Sequence, residues 1–548
     1  MIHRIIKNTF LNSHVPSSVL SAACLITIAG LLSRLLGLFR DRLLASTFGA
    51  GDTLDIYYAA FRIPDLIYNL LILGALSAAF IPVFTGLISN EKEKEAWQLA
   101  GGIMNLAVGL IIIFSALFCI FSPFLMKAIT PGFSPEKMEQ VVMFTRIMFL
   151  SPLFLGISGI FGGVLTSFKR FFIYSLAPIF YNLGIIFGIL VFVRFWGPIG
   201  LAWGVVLGAF LHMLTQYPSS RQLGFKYSPL FIMHIFDHEV RKVFRLMIPR
   251  TLGIAVNQIN LFVITIFASL LAPGSLAIFN FAQNLQAVPL GIIGVSFAIA
   301  VFPTLSAFSS KNDNENFAKT FSETFRQILF FIIPLSVFIF LFRAQIVRVV
   351  LGAGEFDWED TRLTFQCLGI FSLSLFAQSA VPLLARAFYA AHDTKTPFYI
   401  ALVSEAVNIS AVVLLIGKYN ILGLAIAFSL ASIVQMFLLL SVLRFRYDNL
   451  DDREIVISVG KIVIATLFSG AVIQGSKYVV TSFVSLNTFL GVFFQLSVAA
   501  VLGALVFLLI SYLLKSEEFM MFRDSITKRI FKKTKIVLEE DTGEVSGM

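Results

Sequence analysis

The chain has 548 residues, 58% of them hydrophobic and 13% charged, with a formal net charge of +10 and a mean hydropathy of +0.89. A soluble domain is about 45–50% apolar and about 25% charged, and a single soluble core stops growing near roughly 250–300 residues. The surplus therefore excludes a water-soluble protein and leaves a polytopic membrane protein.

Apolar runs of about 20 residues, the length of a bilayer-crossing helix, recur about fourteen times along the chain, from a first centred near Ile28 to a last near Val501. Their length and lack of alternation exclude a β-barrel and predict an all-α membrane fold. The first run is full-length and meets charge at once, without a small-residue cleavage site, so no cleavable signal is expected. An even span count puts both termini on one side. Lys and Arg in alternate loops number roughly 25 against roughly 10, which makes that side cytoplasmic. The richest segments are Arg221–Arg245, Arg444–Arg453 and Lys515–Lys535. Spread over so many short loops, the basic residues argue against nucleic-acid binding. The tail Ile526–Lys535 reads either as a segment lying on anionic headgroups or as a solvated stop-transfer anchor.

Two halves of the chain look alike. Lys169-Arg170-Phe171, leading to Pro178 and Asn182, is matched by Lys395-Thr396-Pro397, leading to Asn408. Ala79-Phe80-Ile81-Pro82 is matched by Ala300-Val301-Phe302-Pro303, and both matches lie roughly 220 residues apart. This predicts two pseudo-symmetric six-helix lobes, residues 1–225 and 226–450, around a central cavity. Two further helices follow over residues 451–515, then a basic cytoplasmic tail over 516–548. Facing lobes of this kind suit alternating access.

Ionisable residues inside spans are costly and mark function by default. The first span carries Arg34, Arg40, Asp41 and Arg42, followed by Asp55, Arg62 and Asp65. Arg34 and Arg40 stand roughly 9 Å apart along a helix axis, which suits two contacts along an extended anion. Guanidinium supplies bidentate donors to phosphate and keeps its charge when buried. The competing readings are interfacial snorkelling for Arg40 and Arg42, with Asp41 and Asp55 as their salt-bridge partners, and an i,i+3 pair for Arg62 and Asp65. Further buried polar positions are Arg250, Asn257, Gln258, Gln283, Asn284, Gln286, Glu405 and Asn408. Glu405 with Asn408 forms either a proton or cation coupling site or a helix-packing contact.

Cys24, Cys119 and Cys367 stand in apolar runs without paired spacing, so no disulfide or zinc framework is indicated. His234 and His238 are spaced i,i+4, but the glutamate of a zinc motif is missing. There is no phosphate-binding loop for ATP, no cofactor is indicated, and no nucleophile or metal set suggests an enzyme.

The run Ser33-Arg34-Leu35-Leu36-Gly37-Leu38-Phe39-Arg40-Asp41, with Phe48-Gly49-Ala50-Gly51, Asp55 and Phe61-Arg62-Ile63-Pro64, resembles the MurJ (MviN) lipid II flippases of the MOP exporter superfamily. Gly74–Pro82, Thr130–Phe133, Ala177-Pro178, Phe388-Tyr389-Ala390 and Asp393–Pro397 add to it, and the resemblance reaches about residue 515. It implies translocation of a lipid-linked peptidoglycan precursor from the inner to the outer leaflet of a bacterial cytoplasmic membrane. It also implies a cationic cavity and a groove for the polyprenyl tail on the last two helices. The family's first-helix arginines and aspartate fall on Arg34, Arg40 and Asp41, and its second-helix aspartate on Asp55. With Arg62, Arg250 and Asn284 these make the expected substrate-binding set. Membrane lipids and wall-synthesis or division proteins are the remaining expected partners.

The chain departs from the family pattern at Tyr68 and Asn69, and at Gln283, Asn284 and Ala287, where the family usually carries charge. A positive charge from Arg250 is one way of restoring the balance. Two other readings stay open: a related flippase for another polyprenyl-linked saccharide, and a non-transporting scaffold of wall synthesis.

Overall fold

The computed structural model describes residues 19–73, 80–227, 238–447, 449–486 and 488–524. Within helices, the side chains of 19–27, 73, 238, 242, 244–250, 252–254 and 257 lie outside the description. Among the described residues all regular structure is helical, which satisfies backbone polar groups inside a bilayer.

The first half begins with α1 (Val19–Phe48), α2 (Asp52–Ala60) and α3 (Arg62–Tyr68). It continues through α4 (Ile81–Ser89), α5 (Glu93–Ile129), α6 (Pro135–Met148), α7 (Leu150–Ser167), α8 (Phe171–Phe187), α9 (Val193–Trp196) and α10 (Gly200–Gln222). The second half holds α11 (His238–Ser269), α12 (Ser275–Pro289), α13 (Ser296–Ser310), α14 (Asn314–Val350), α15 (Trp358–Ala390), α16 (Lys395–Tyr419) and α17 (Ile421–Tyr447). Helices α18 (Asp452–Thr481) and α19 (Phe489–Leu513) complete it.

Ten segments among the described residues are long and apolar enough to cross a membrane. One of them, Phe171–Gln222, is 52 residues long and turns at Gly197–Ile199, so it holds both spans expected near Ile185 and Val206. The spans expected near Ile28 and Leu71 include residues outside the description, and a shorter apolar helix, Gln258–Ser269, stands where one is expected near Val263.

The internal repeat is visible in the elements themselves. Glu93–Ile129 and Asn314–Val350 are both 37 residues long, and Pro135–Ser167 and Trp358–Ala390 are both 33. A π-helical stretch at Asn69–Leu73 has its counterpart at Leu290–Val295. Left-handed residues also recur in corresponding loops. Glu91 matches Asn312, Lys169 matches His392, and Gly197 matches Asn420, each pair about 220 residues apart.

Contacts divide the chain into two compact units. The first is Met1–Leu285 with Val350–Cys367 and Asn408–Ala427; the second is Gln286–Val349 with Leu368–Val407 and Phe428–Met548. In the first unit α8 meets α10 with backbones touching. A Cβ on Gly184 would collide with the backbone of Gly208, and one on Gly188 with Gly204, so small residues spaced by four allow the close crossing. In the second unit Phe342, Ile473 and Ala499 form a core of α14, α18 and α19, flanked by Phe338, Leu341 and Leu496. Arg326 of α14 pairs there with Glu517 at 2.8 Å and Glu518 at 3.1 Å. Helix α16 is capped by Asp393, which accepts from the backbone N–H of Thr396 at 3.0 Å and of Lys395 at 3.1 Å.

Candidate functional site

The expected polar residues of the first unit meet at the C-terminal half of α1. Arg40 and Asp41, neighbours in sequence, turn toward each other: Arg40 Nη2 and Nε donate to Asp41 Oδ1 at 2.8 and 3.1 Å. Arg40 Nη1 donates to Asn182 Oδ1 of α8 at 3.2 Å. Asn182 in turn donates to Ser33 O at 3.3 Å and to Pro178 O at 3.1 Å. The second oxygen of Asp41 accepts from Asn284 Nδ2 of α12 at 2.9 Å. Three helices are thereby tied around a buried carboxylate, and every charged contact is a charge-assisted bond in an apolar setting. Arg34 lies on α1 nearly two turns before Arg40 and is half-buried. Arg42 donates to the backbone O of Val350 at 3.3 Å.

Asp55 is placed differently from the expectation of a ligand contact. It is 2% exposed and accepts from the backbone N–H of Gly274 at 2.8 Å and of Ala277 at 3.0 Å. These amides open α12, where a carboxylate complements orphan donors and the helix dipole. Lys137 of α6 supplies the counter-charge at 3.0 Å and also reaches Asp52 at 2.6 Å. Asp55 is therefore occupied in holding α2, α6 and α12 together. The approach is tight: Gly274 has φ +86°, and a Cβ there would strike Ala50 O.

The Phe48–Gly51 turn is a junction of the same unit. Ala50 N donates to Asp360 Oδ2 at 2.8 Å, and Glu355 N donates to Ser46 O at 3.0 Å. Arg62, 8% exposed, donates through Nε to Thr265 Oγ1 of α11 at 2.7 Å. That contact joins α3 to α11, and Arg62 also interacts electrostatically with Asp65, its i,i+3 neighbour. Arg250 lies on the backbone of α11, with its side chain outside the described residues, as is that of Asn257. Glu405 and Asn408 are buried on α16, at 8% and 1% exposure. His234 and the tail Ile526–Lys535 lie outside the described residues. Among the described residues no group of three or more His, Cys, Asp or Glu is placed to hold a metal.

Sequence reasoning missed Lys137, Thr265 and Asp360. Each is distant in sequence from its partner, and nothing local signals the pairing. Asn182 was visible only as part of the repeat, without its role of holding Arg40.

A bundle of bilayer-length helices in two repeated halves, with an arginine–aspartate–asparagine cluster on its first helix, defines a multi-pass membrane transporter. The comparisons with known proteins agree with that class. The chain matches the family described as "Lipid II flippase MurJ" over residues 44–523. A probable lipid II flippase MurJ of Buchnera aphidicola subsp. Acyrthosiphon pisum is 32% identical over 420 residues, covering 76% of this chain and 82% of the relative. The corresponding protein of Rickettsia prowazekii is 28% identical over 494 residues, covering 88% and 95%. A solved structure, lipid II flippase MurJ in an inward closed conformation, superposes with a TM-score of 0.74 at 25% identity over 92% of this chain and all of that one. An inward-facing MATE transporter of the MOP superfamily shares the fold, with a TM-score of 0.66 at 15% identity. The chain belongs to the lipid II flippase MurJ family, and is a multi-pass protein of the bacterial inner membrane.

Proposed function

We infer that this chain translocates lipid II, the undecaprenyl-diphosphate-linked peptidoglycan precursor, from the inner to the outer leaflet of the cytoplasmic membrane. The observation that carries the reading is the family match across residues 44–523, together with the first-helix residues Arg34, Arg40 and Asp41 and the Asn284 of α12 that holds Asp41. A diphosphate is a strong acceptor for guanidinium forks. Arg40 has its donors turned to Asp41 and Asn182, so an arriving phosphate competes with Asp41 for the same N–H groups. Asp41 then remains held by Asn284. Arg34 contributes a second contact along the head group, and Arg62 and Arg250 add positive charge from α3 and α11. Asp55 acts by position, fixing the start of α12 and thereby Asn284.

The wider scheme follows the repeat. Residues 1–225 and 226–450 act as two lobes that alternate access. The helices of 451–515 carry the polyprenyl tail, and the termini with the basic tail 516–548 face the cytoplasm. Glu405 and Asn408 are the residues for coupling to an ion. Wall-synthesis or division proteins are the protein partners that this cargo implies. Tyr68, Asn69, Gln283 and Ala287, uncharged where the family is usually charged, support a second reading in which the cargo is another polyprenyl-linked saccharide.

The test is leaflet accessibility of labelled lipid II in vesicles holding the purified protein, wild type against Arg34→Ala. Movement that stops in the variant supports lipid II translocation through the first-helix cluster. Folded wild-type protein that leaves lipid II in place, yet moves a different polyprenyl-diphosphate saccharide, transfers the assignment to that cargo. If Arg250→Ala keeps full transport where Arg34→Ala loses it, Arg250 has no part in the cationic set.

A further inference from the structure

Pro123 stands inside α5 and brings no backbone N–H, so the carbonyl of Cys119, one turn earlier, loses its helical partner. Two side chains take up that oxygen. The Ser122 hydroxyl, fully buried, donates to it at 2.8 Å, and Nε of Arg146 on α6 donates to it at 3.3 Å. Arg146 Nε also donates to Ser122 Oγ at 3.0 Å. One edge of the guanidinium is thus fixed to neutral acceptors of α5. Its Nη1 and Nη2 donate to no group among the described residues, and the side chain is exposed.

Arg146 lines a groove of about 680 Å³ between α5 and α6, with Pro123, Met138, Glu139, Val142 and Met143. Glu139 lies two turns before Arg146 on the same face of α6, about 10 Å away along the axis. Its carboxylate is exposed and makes no hydrogen bond or ion pair among the described residues. Between the two charges lies Met143, 52% exposed. From Ile147 to Ser167 the segment carries no Asp, Glu, Lys or Arg, and about 20 such residues cross the hydrocarbon layer of a bilayer. Arg146 therefore stands at the edge of that layer, at the level of lipid phosphates, and Glu139 stands further toward water. A cation next to the hydrocarbon and an anion outside it complement a zwitterionic head group, whose phosphate adjoins the acyl chains and whose ammonium lies beyond.

We propose that the α5–α6 groove binds one phosphatidylethanolamine of the bilayer, with its phosphate on the Nη edge of Arg146 and its ammonium on Glu139. The guanidinium fork suits phosphate oxygens, and an ammonium N–H on a carboxylate is a charge-assisted bond. Phosphatidylglycerol satisfies Arg146 but brings no cation to Glu139. None of the groove residues belongs to the first-helix cluster. The proposal rests on the chain being embedded in a membrane and not on the identity of the transported cargo.

The test is native mass spectrometry of the full-length protein in detergent with phosphatidylethanolamine and phosphatidylglycerol added in equal amounts. The wild type is expected to retain one phosphatidylethanolamine with about tenfold preference. Glu139→Lys should reverse that preference toward phosphatidylglycerol, and Arg146→Gln should lower retention of both lipids. Met143→Trp, which fills the groove without changing charge, should also lower retention, with thermal unfolding showing a folded protein. Glu139 takes no part in the hydrogen bonds between α5 and α6, so its variant reads the site even if Arg146→Gln loosens that contact. Equal retention of the two lipids by the wild type, or a wild-type preference for phosphatidylglycerol, overturns the proposal. So does a folded Glu139→Lys protein that still prefers phosphatidylethanolamine. Lipid II translocation is read separately, so a protein that binds phosphatidylethanolamine here but moves no lipid II defeats the functional reading and leaves this one standing.

Discussion

Asn284 of α12 donates to Asp41 of α1 at 2.9 Å, on the oxygen that Arg40 leaves open. Asp41 thus has one cation and one amide for its two oxygens. Asn284→Leu should remove a donor from a carboxylate that is 2% exposed and lower stability by about 1–2 kcal/mol. Thermal unfolding of the purified protein reads this. Asn284→Arg, which gives Asp41 a second cation, should restore stability. A variant less stable than Asn284→Leu would show that the cluster has no room for a side chain of that size.

Asp55 offers a sharper separation of roles. Its carboxylate holds the first amides of α12 and the ammonium of Lys137, so Asp55→Asn should cost about 3 kcal/mol of stability, as expected when one partner of a buried pair is lost. Lys137→Met should cost a comparable amount. The double variant should be less damaging than the two single losses combined, since neither buried charge is then left alone. An Asp55→Asn protein that unfolds like wild type yet no longer moves lipid II would return Asp55 to the ligand set.

These two residues mark where sequence reading reached and where it stopped. Composition and span length gave the membrane class, and the recurrence of Lys169-Arg170-Phe171 at Lys395-Thr396-Pro397 led to the repeat now visible in equal helix lengths. The first-helix motif located Arg40 and Asp41. It carried no information on Asn182 as the partner of Arg40 or on Lys137 as the partner of Asp55, because those contacts join residues 142 and 82 positions apart. A carboxylate inside a span looks the same in sequence whether it awaits a ligand or caps a helix. The two spans expected near Ile185 and Val206 stand on either side of the turn Gly197–Ile199 within one long apolar segment.

The cap of α16 carries a pH dependence outside the membrane-spanning segments. Burial opposes ionisation of Asp393, but the backbone N–H and hydroxyl of Thr396, the N–H of Lys395 and the Arg446 guanidinium together bring its carboxyl below the usual range. A lowered carboxyl contributes stability that is fully present above its unfolded value, near 4, and is lost as pH falls through the folded value. Amide hydrogen exchange at Lys395 and Thr396, corrected for the intrinsic rate, should therefore show less protection at about pH 3 than at about pH 6. Asp393→Asn should flatten that difference. Unchanged protection across the same range would detach the cap from the carboxylate.

The second unit ties its C-terminal segment down by a buried charge cluster whose members are unequal. Arg326 is 5% exposed and Glu518 is 4% exposed, whereas the Glu517 side chain is 56% exposed. Ser458 donates to one oxygen of Glu518 at 2.8 Å and Ser516 to the other at 2.7 Å. An exposed ion pair is worth about 0–1 kcal/mol, so Glu517→Ala should change little. Glu518→Ala removes the buried partner of the Arg326 guanidinium, leaving it the exposed Glu517, and strands two serine hydroxyls, and should cost about 3 kcal/mol. Limited proteolysis distinguishes local from global loss: faster cleavage after Leu513 with intact helices upstream is the expected result. Arg326→Met combined with Glu518→Leu should recover most of the lost stability, because an apolar pair of similar volume leaves no buried charge. If the double variant stays as labile as Glu518→Ala, the cluster holds the segment through its serine hydrogen bonds rather than through charge.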